Sequence, residues 1–241
     1  RLPTKPSIHL VRGSVAHKVL EDFYDLEVDD YDVDIRMTFM QAMIRMLKQY
    51  WDDSASQLAK LDMEKEEIAQ FYEETQLMLI NWFEIFWEKF QKQIKLGLSQ
   101  SEAFKKVTPK REALYKFMDV GIQGYIDVIE YEGDEVNLMD YKTSKKFKIT
   151  PEYELQLAIY AFMYHRQHGV MPTRAGIYFL KHGVLHLDVN MDLVKWAEKE
   201  LGRKITNEEK EELKEIFWLP ALAGAASRIP ASTYAGAITG A

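Results

Sequence analysis

The sequence predicts an α/β fold in which helices sandwich a small mixed β-sheet. Three observations carry this. The first hundred residues repeat apolar side chains at helical spacing. After Pro109 the pattern changes to short β-like runs broken by glycine. A single helix, opening at Thr150-Pro151, then separates three such runs from two more. Runs joined by tight turns pair antiparallel, whereas a strand–helix–strand connection makes a parallel pair, so the sheet is expected to be mixed.

From about Ser14 to Gln100 the chain reads as helix. Val15, Val19, Leu20 and Phe23 recur at helical spacing, and Ile35, Phe39, Met43 and Leu47 repeat it. A third helix over about 62–96 aligns Ile68, Phe71, Leu79, Trp82, Phe86, Phe90 and Ile94 on one stripe. Rings in such a stripe can stack nucleobases, but the spacing is that of a buried helix face, and core packing is the reading adopted. Strands are expected at 112–119, 123–131 and 136–143. Gly121 breaks the first pair, and Glu132-Gly133-Asp134 supplies a hairpin turn because glycine tolerates positive φ. Thr150 suits a helix N-cap and Pro151 its first position, and this helix ends at Gly169. Strands at 174–180 and 184–189 follow, then helices at about 192–201 and 207–218. Residues 221–241 hold eight alanines and three glycines and support no functional reading.

Composition sets limits on function. A chain of 241 residues with 47% hydrophobic and 29% charged residues is globular, not disordered. No apolar run approaches the ~20 residues that span a bilayer, and no secretory leader opens the chain, so no membrane partner and a cytoplasmic location are expected. The absence of cysteine excludes disulfides, thiolate zinc sites and cysteine nucleophiles. A net charge of −7 argues against coating duplex DNA by bulk electrostatics. Charge is nevertheless clustered: residues 1–20 carry four bases and no acid, residues 21–35 carry eight acids and no base, and Lys142, Lys145, Lys146 and Lys148 fall within seven residues. Local basic patches on an acidic chain suit a protein that grips a polyanion at one place. The phosphate-cradling loops G-x-x-x-x-G-K and G-x-G-x-x-G are absent, as is the G-x-S-x-G elbow. His165, His168, His182 and His186 have no implied carboxylate partner and are read as surface histidines, not as a zinc site.

The chemistry concentrates in two strands. In Gly124-Tyr125-Ile126-Asp127 a carboxylate interrupts an apolar strand, and alternation puts Asp127 on a face with Tyr125 and Ile129. In the next strand Leu138, Asp140 and Lys142 share a face. With the faces aligned, two carboxylates and an ammonium meet. Buried carboxylates repel unless a cation lies between them, and hard oxygen ligands suit Mg²⁺ or Mn²⁺. Two more pairs accompany them at i, i+4 on helices: His17 with Glu21, which sets an imidazole beside a carboxylate, and Gln156 with Tyr160.

In order, Gly13-Ser14-Val15-Ala16-His17 with Glu21, Gly124-Tyr125-Ile126-Asp127, Asp140-Tyr141-Lys142-Thr143 and Gln156-Leu157-Ala158-Ile159-Tyr160 resemble the RecB-like branch of the PD-(D/E)XK nuclease superfamily, which includes CRISPR-associated and recombination exonucleases. The resemblance covers residues 13–24 and about 110–181. It implies a restriction-endonuclease-like core over 1–30 and 107–218, a helical insertion over 31–106, and an atypical tail over 219–241. It implies that His17, Asp127, Asp140 and the backbone carbonyl of Tyr141 bind Mg²⁺ or Mn²⁺. Lys142 would act on the attacking water, and Gln156 and Tyr160 would support the site and substrate. Glu112 stands where the family often has an acid on the first strand. Lys145, Lys146 and Lys148 would hold flanking phosphates. Two departures stand out. Ile126 replaces the superfamily's nominal proline, and the four cysteines that hold an iron–sulfur cluster in many close relatives are missing. The visible residues favour a cluster-free member over a chain lacking the pieces that carried them. The implied function is a metal-dependent DNA nuclease, most simply an exonuclease, acting on single strands or duplex ends in repair, recombination or CRISPR-type processing. The rival is an inactive nuclease-like DNA-binding subunit of a larger complex, which the presence of all three presumed ligands and the lysine disfavours.

Overall fold

The computed structural model of the chain describes residues 7–117 and 122–202. Helix α1 (Ile8–Phe23) starts earlier than the expected Ser14, because the Ser7 hydroxyl caps it by accepting from Leu10 N at 3.2 Å. Helices α2 (Ile35–Asp53), the short α3 (Ala55–Leu58), α4 (Lys65–Lys95) and α5 (Gln100–Val107) follow. Glu64 and Glu67 cap the start of α4 reciprocally. The strands are β1 (Lys110–Phe117), β2 (Ile122–Glu132), β3 (Glu135–Lys142), β4 (Arg174–Phe179) and β5 (Gly183–Asp188). Helix α6 (Pro151–His168) joins β3 to β4, and α7 (Met191–Gly202) follows β5. The expected end of the first strand at 118–119, the helix at 207–218 and the alanine-rich tail lie outside the described residues.

The sheet runs β1-β2-β3-β4-β5, with one parallel pair, β3 with β4, where α6 forms the crossover. Each face carries its own apolar layer. Ile129, Leu138, Ile177 and Phe179 pack under α6 and α7. Val128, Met139, Tyr141, Tyr178 and Leu180 pack under α1, α2, α4 and α5. The segment read as an insertion therefore shares one core with α1 and the sheet. The aromatic stripe of α4 is core as expected, with Trp82, Phe83, Phe86 and Phe90 all buried. A polar clasp fastens α4 to the sheet: Lys89 Nζ lies 2.6 Å from Glu130 Oε1 and 2.7 Å from Tyr178 Oη, and that hydroxyl donates to the same Glu130 oxygen at 2.8 Å.

Helix α1 is central to the helical layer. Phe23, fully buried, sets its ring edge-on to Phe39, Trp82, Phe83 and Phe86 at 4.8–6.3 Å. Phe23→Ala should therefore cost about 3–5 kcal/mol, a large share of an ordinary domain's stability. Denaturant unfolding of the two proteins measures it. A loss below about 1 kcal/mol would mean that this ring is not the hub of the layer.

Candidate active site

Simple alternation along β2 fails at one residue, and that residue is Asp127. Ile126 and Ile129 both pack under α6 although they are three apart, while Val128 packs under the other helical layer. The expectation that Tyr125, Asp127 and Ile129 share a face is thus corrected: the strand turns over around Asp127. The disturbance extends to both neighbours. On β1, Arg111 pairs with Val128 and Ala113 with Ile126, leaving Glu112, opposite Asp127, out of the ladder with φ at 45°. A left-handed backbone at a residue with a side chain stores about 1–3 kcal/mol, and such positions concentrate at functional sites. On β3, regular pairing with β2 stops at Val128–Met139, and the Asp127 carboxylate accepts from Tyr141 N at 3.4 Å where the ladder would have continued.

This opening lets groups from both faces meet. Asp140, fully buried, lies opposite Asp127 by extension of the register. It is held from the α6 side: its Oδ1 accepts from Gln156 Nε2 at 2.9 Å and from Tyr160 Oη at 3.3 Å, and Gln156 Nε2 also reaches Tyr160 Oη at 3.0 Å. From α1, His17 brings Nδ1 to 3.5 Å from Asp127 Oδ2 and Nε2 to 2.9 Å from the Tyr141 carbonyl. The carboxylate beside this imidazole is thus that of Asp127, whereas Glu21 lies 3.6 Å from Lys18 Nζ. Lys142 Nζ is 3.0 Å from Asp140 Oδ2, close enough for an ion pair but without hydrogen-bond alignment.

Each aspartate therefore has one oxygen that accepts a hydrogen bond and one that accepts none, although that of Asp140 is paired with the Lys142 charge. Asp127 Oδ1, Asp140 Oδ2 and Glu112 Oε2 are buried with no hydrogen-bond partner. Unsatisfied carboxylate oxygens in a dry site are the donor set a hard divalent cation takes, so the residues present fit one. The fit is incomplete: among the described residues no three His, Asp or Glu side chains already surround a common point. In particular, the His17 nitrogen nearest the Tyr141 carbonyl is engaged with that carbonyl.

Electrostatics agree with crowded charge. Burial, then Asp140 and Glu112, push Asp127 well above the usual carboxylate range. Burial pushes Asp140 up too, with Lys142 offsetting part of it. Burial works against the Lys142 ammonium, but Asp140 and Asp127 outweigh it and raise its pKa, so the lysine stays charged. The Glu112 carboxyl is pushed up to about 8 by burial, then by Glu21 and Asp140. Of the sequence-predicted residues, His17, Asp127, Tyr141, Asp140, Lys142, Gln156 and Tyr160 come together, with Glu112 alongside and Glu21 bearing on Glu112 through space. Lys145, Lys146 and Lys148 are exposed on the loop that leaves Lys142.

Sequence reasoning missed two side chains at this end of the sheet. Arg12, 2% exposed, donates to the Thr143 carbonyl at 2.9 Å and pairs with Glu74 at 3.3 Å, so it ties α1 to the loop after Lys142. The Tyr153 ring lies 5.2 Å from Lys142 Nζ. Arg12 directly precedes the His17 segment (13–17), but nothing in the sequence tied it to its partners, and nothing in spacing marked Tyr153.

The sequence model of the PD-(D/E)XK nuclease superfamily matches residues 1–235. The chain belongs to the PD-(D/E)XK nuclease superfamily. Its five-stranded mixed sheet between helices is the restriction-endonuclease-like fold of that superfamily. A crystal structure of a Eubacterium rectale protein described as a "Putative exonuclease" aligns over 97% of this chain and 96% of its own at 10% identity and a TM-score of 0.38. That likeness is too slight to carry a conclusion. No curated protein matches the sequence closely enough to count. Among the described residues, no helix is long and apolar enough to cross a membrane.

Stability should report the crowding directly. Unfolded, Glu112 ionises near 4.5, whereas folded it holds its proton to about 8. Between those values the unfolded chain has released a proton that the folded chain retains, so the folded state is disfavoured progressively as pH rises, by about 1.4 kcal/mol per pH unit for one group. In the presence of chelator, the unfolding midpoint should fall from pH 5 to pH 8, and Glu112→Gln should flatten the slope. Equal slopes for the two proteins would show that Glu112 does not titrate in this window.

Proposed function

We propose that this chain is a divalent-metal-dependent DNA nuclease of the RecB-like branch that hydrolyses phosphodiester bonds at single strands or duplex ends. The observation that carries the reading is the pair of buried oxygens that accept no hydrogen bond, Asp127 Oδ1 and Asp140 Oδ2, with Lys142 3.0 Å from the second. The ordered RecB-like motifs support it, and residues 31–106 are read as an elaboration of the core.

Asp127, Asp140, the Tyr141 carbonyl and His17 would hold the cation, with Glu112 in support. A bound Mg²⁺ or Mn²⁺ would supply Lewis-acid polarisation of the phosphate and offset charge developing in the transition state. Gln156 and Tyr160 fix one Asp140 oxygen so that the other keeps its direction, which a ligand site requires. The Tyr141 N–H does the same for Asp127. Lys142 stays protonated opposite two carboxylates, so it acts first as a fixed cation and donor that orients the attacking water and a phosphate oxygen. It can accept a proton only once the negative charge facing it has been offset. Lys145, Lys146 and Lys148 grip phosphates outside the site. Exonuclease action and a place in repair, recombination or CRISPR-type processing are the finer parts of this reading.

Asp140→Asn keeps the shape and the acceptor for Gln156 while removing one of two repelling charges. It should leave stability equal or higher and lower cleavage of labelled oligonucleotides at least about 100-fold. Cleavage near the wild-type rate would reject the assigned site, and metal-independent binding without cleavage by the wild type would favour the inactive-subunit alternative.

Lys142→Met should lower kcat and kcat/KM together, by about 100- to 1000-fold. Lys145→Ala/Lys146→Ala should instead weaken binding and shallow its salt dependence while turnover at saturating DNA stays nearly normal. Steady-state kinetics at two salt concentrations separates the two patterns. A Lys142→Met variant with normal kcat at saturation would remove the lysine from the chemistry.

A further inference from the structure

The segment that leaves Lys142, residues 143–150, carries Phe147 among Lys145, Lys146 and Lys148, and its ring is 47% exposed. The ring is held in place. It lies edge-on to Phe179 at 5.5 Å and tilted against His182 at 5.5 Å. His182 Nε2 is 2.9 Å from the Lys145 carbonyl, so the imidazole both flanks the ring and fastens the loop. Arg12 ties the other end at the Thr143 carbonyl. Phe179 is the strand partner of Lys142 and also touches Tyr153 at 6.2 Å, whose ring faces the Lys142 ammonium. Aromatic groups therefore run without a break from Lys142 to an outer ring open to solvent, and three exposed lysines flank that ring in sequence on a chain of net charge −7.

A fixed aromatic face with cations on its border matches the chemistry of one ligand class, a nucleotide whose base stacks while its phosphates meet ammonium groups. Inside a duplex both base faces are already stacked, so away from its ends only an unpaired base can lie there. We propose that Phe147, backed by His182 and Phe179, is a stacking subsite for an unpaired base next to the bond being cut, and that it gives this protein a preference for single-stranded nucleic acid. The proposal rests on the nuclease reading for its substrate, but it is tested by binding.

The test is made in the Asp140→Asn background so that strands stay intact. Anisotropy gives the affinity for a short single-stranded oligonucleotide and for a two-stranded duplex that has no unpaired base and many more internal pairs than ends. Phe147→Leu, which keeps an apolar side chain without a π face, should weaken single-strand binding about 5- to 150-fold and duplex binding less than about twofold. Phe147→Trp should bind as well or better. A 2-aminopurine base in the strand should be quenched by the parent and not by Phe147→Leu, with unfolding midpoints confirming that both are folded. Equal single-strand affinity for parent and Phe147→Leu, or equal losses on both ligands, overturns the subsite. The two readings fail separately. A wild-type protein that cuts with no Phe147 dependence rejects this inference alone. One that binds through Phe147 and never cuts rejects the nuclease reading and leaves the stacking subsite standing.

Discussion

The constraint on which the site depends is that two buried carboxylates, Asp127 and Asp140, stand across from each other on neighbouring strands. Left alone, such a pair would take up a proton or drive the strands apart. The surroundings manage both tendencies. Gln156 and Tyr160 donate to Asp140 from one side, the Tyr141 N–H reaches Asp127, and Lys142 supplies a close positive charge. None of these neutralises the pair, since both aspartates keep raised pKa values despite them. The pair therefore keeps negative charge that its surroundings only partly offset.

Such a site cannot be built on an unbroken sheet. A regular ladder presents each side chain to one layer only, yet His17 comes from one helical layer and Gln156 and Tyr160 from the other. The turnover of β2 at Asp127 and the left-handed Glu112 opposite it are the local departures that let both layers reach one place. Strain at Glu112 is thus tied to geometry, and its neighbours over-determine it: Arg111 donates to the Glu21 carbonyl and pairs with Asp25 at 2.7 Å, fixing β1 against the end of α1.

Much of this was legible in the sequence, because the signals are local. Strand and helix order followed from the change of period at Pro109 and the cap at Thr150-Pro151. The ordered motifs led to His17, Asp127, Asp140, Lys142, Gln156 and Tyr160, which the fold brings together. The face of Asp127 was misread because period-two reasoning assumes a regular strand, and the break arises from pairing with β1 and β3, which no window of one strand contains. The His17–Glu21 pairing failed for a related reason. Helical spacing gives neighbours on the helix, but a stronger partner in space, Asp127, took the imidazole. Arg12 was invisible because its partners, Glu74 and Thr143, are 62 and 131 residues away.

The contact between His17 and the Tyr141 carbonyl spans 124 residues, and the clamp on Asp140 comes from a helix that follows it in the chain. The aspartates are therefore synthesised before Gln156 and Tyr160, and His17, made long before either, reaches the site only when α1 docks on the finished sheet. A growing chain can make every strand up to β3 and still have no organised site. The cluster is in this way complete only once the chain from α1 to α6 has been made and has folded as one unit.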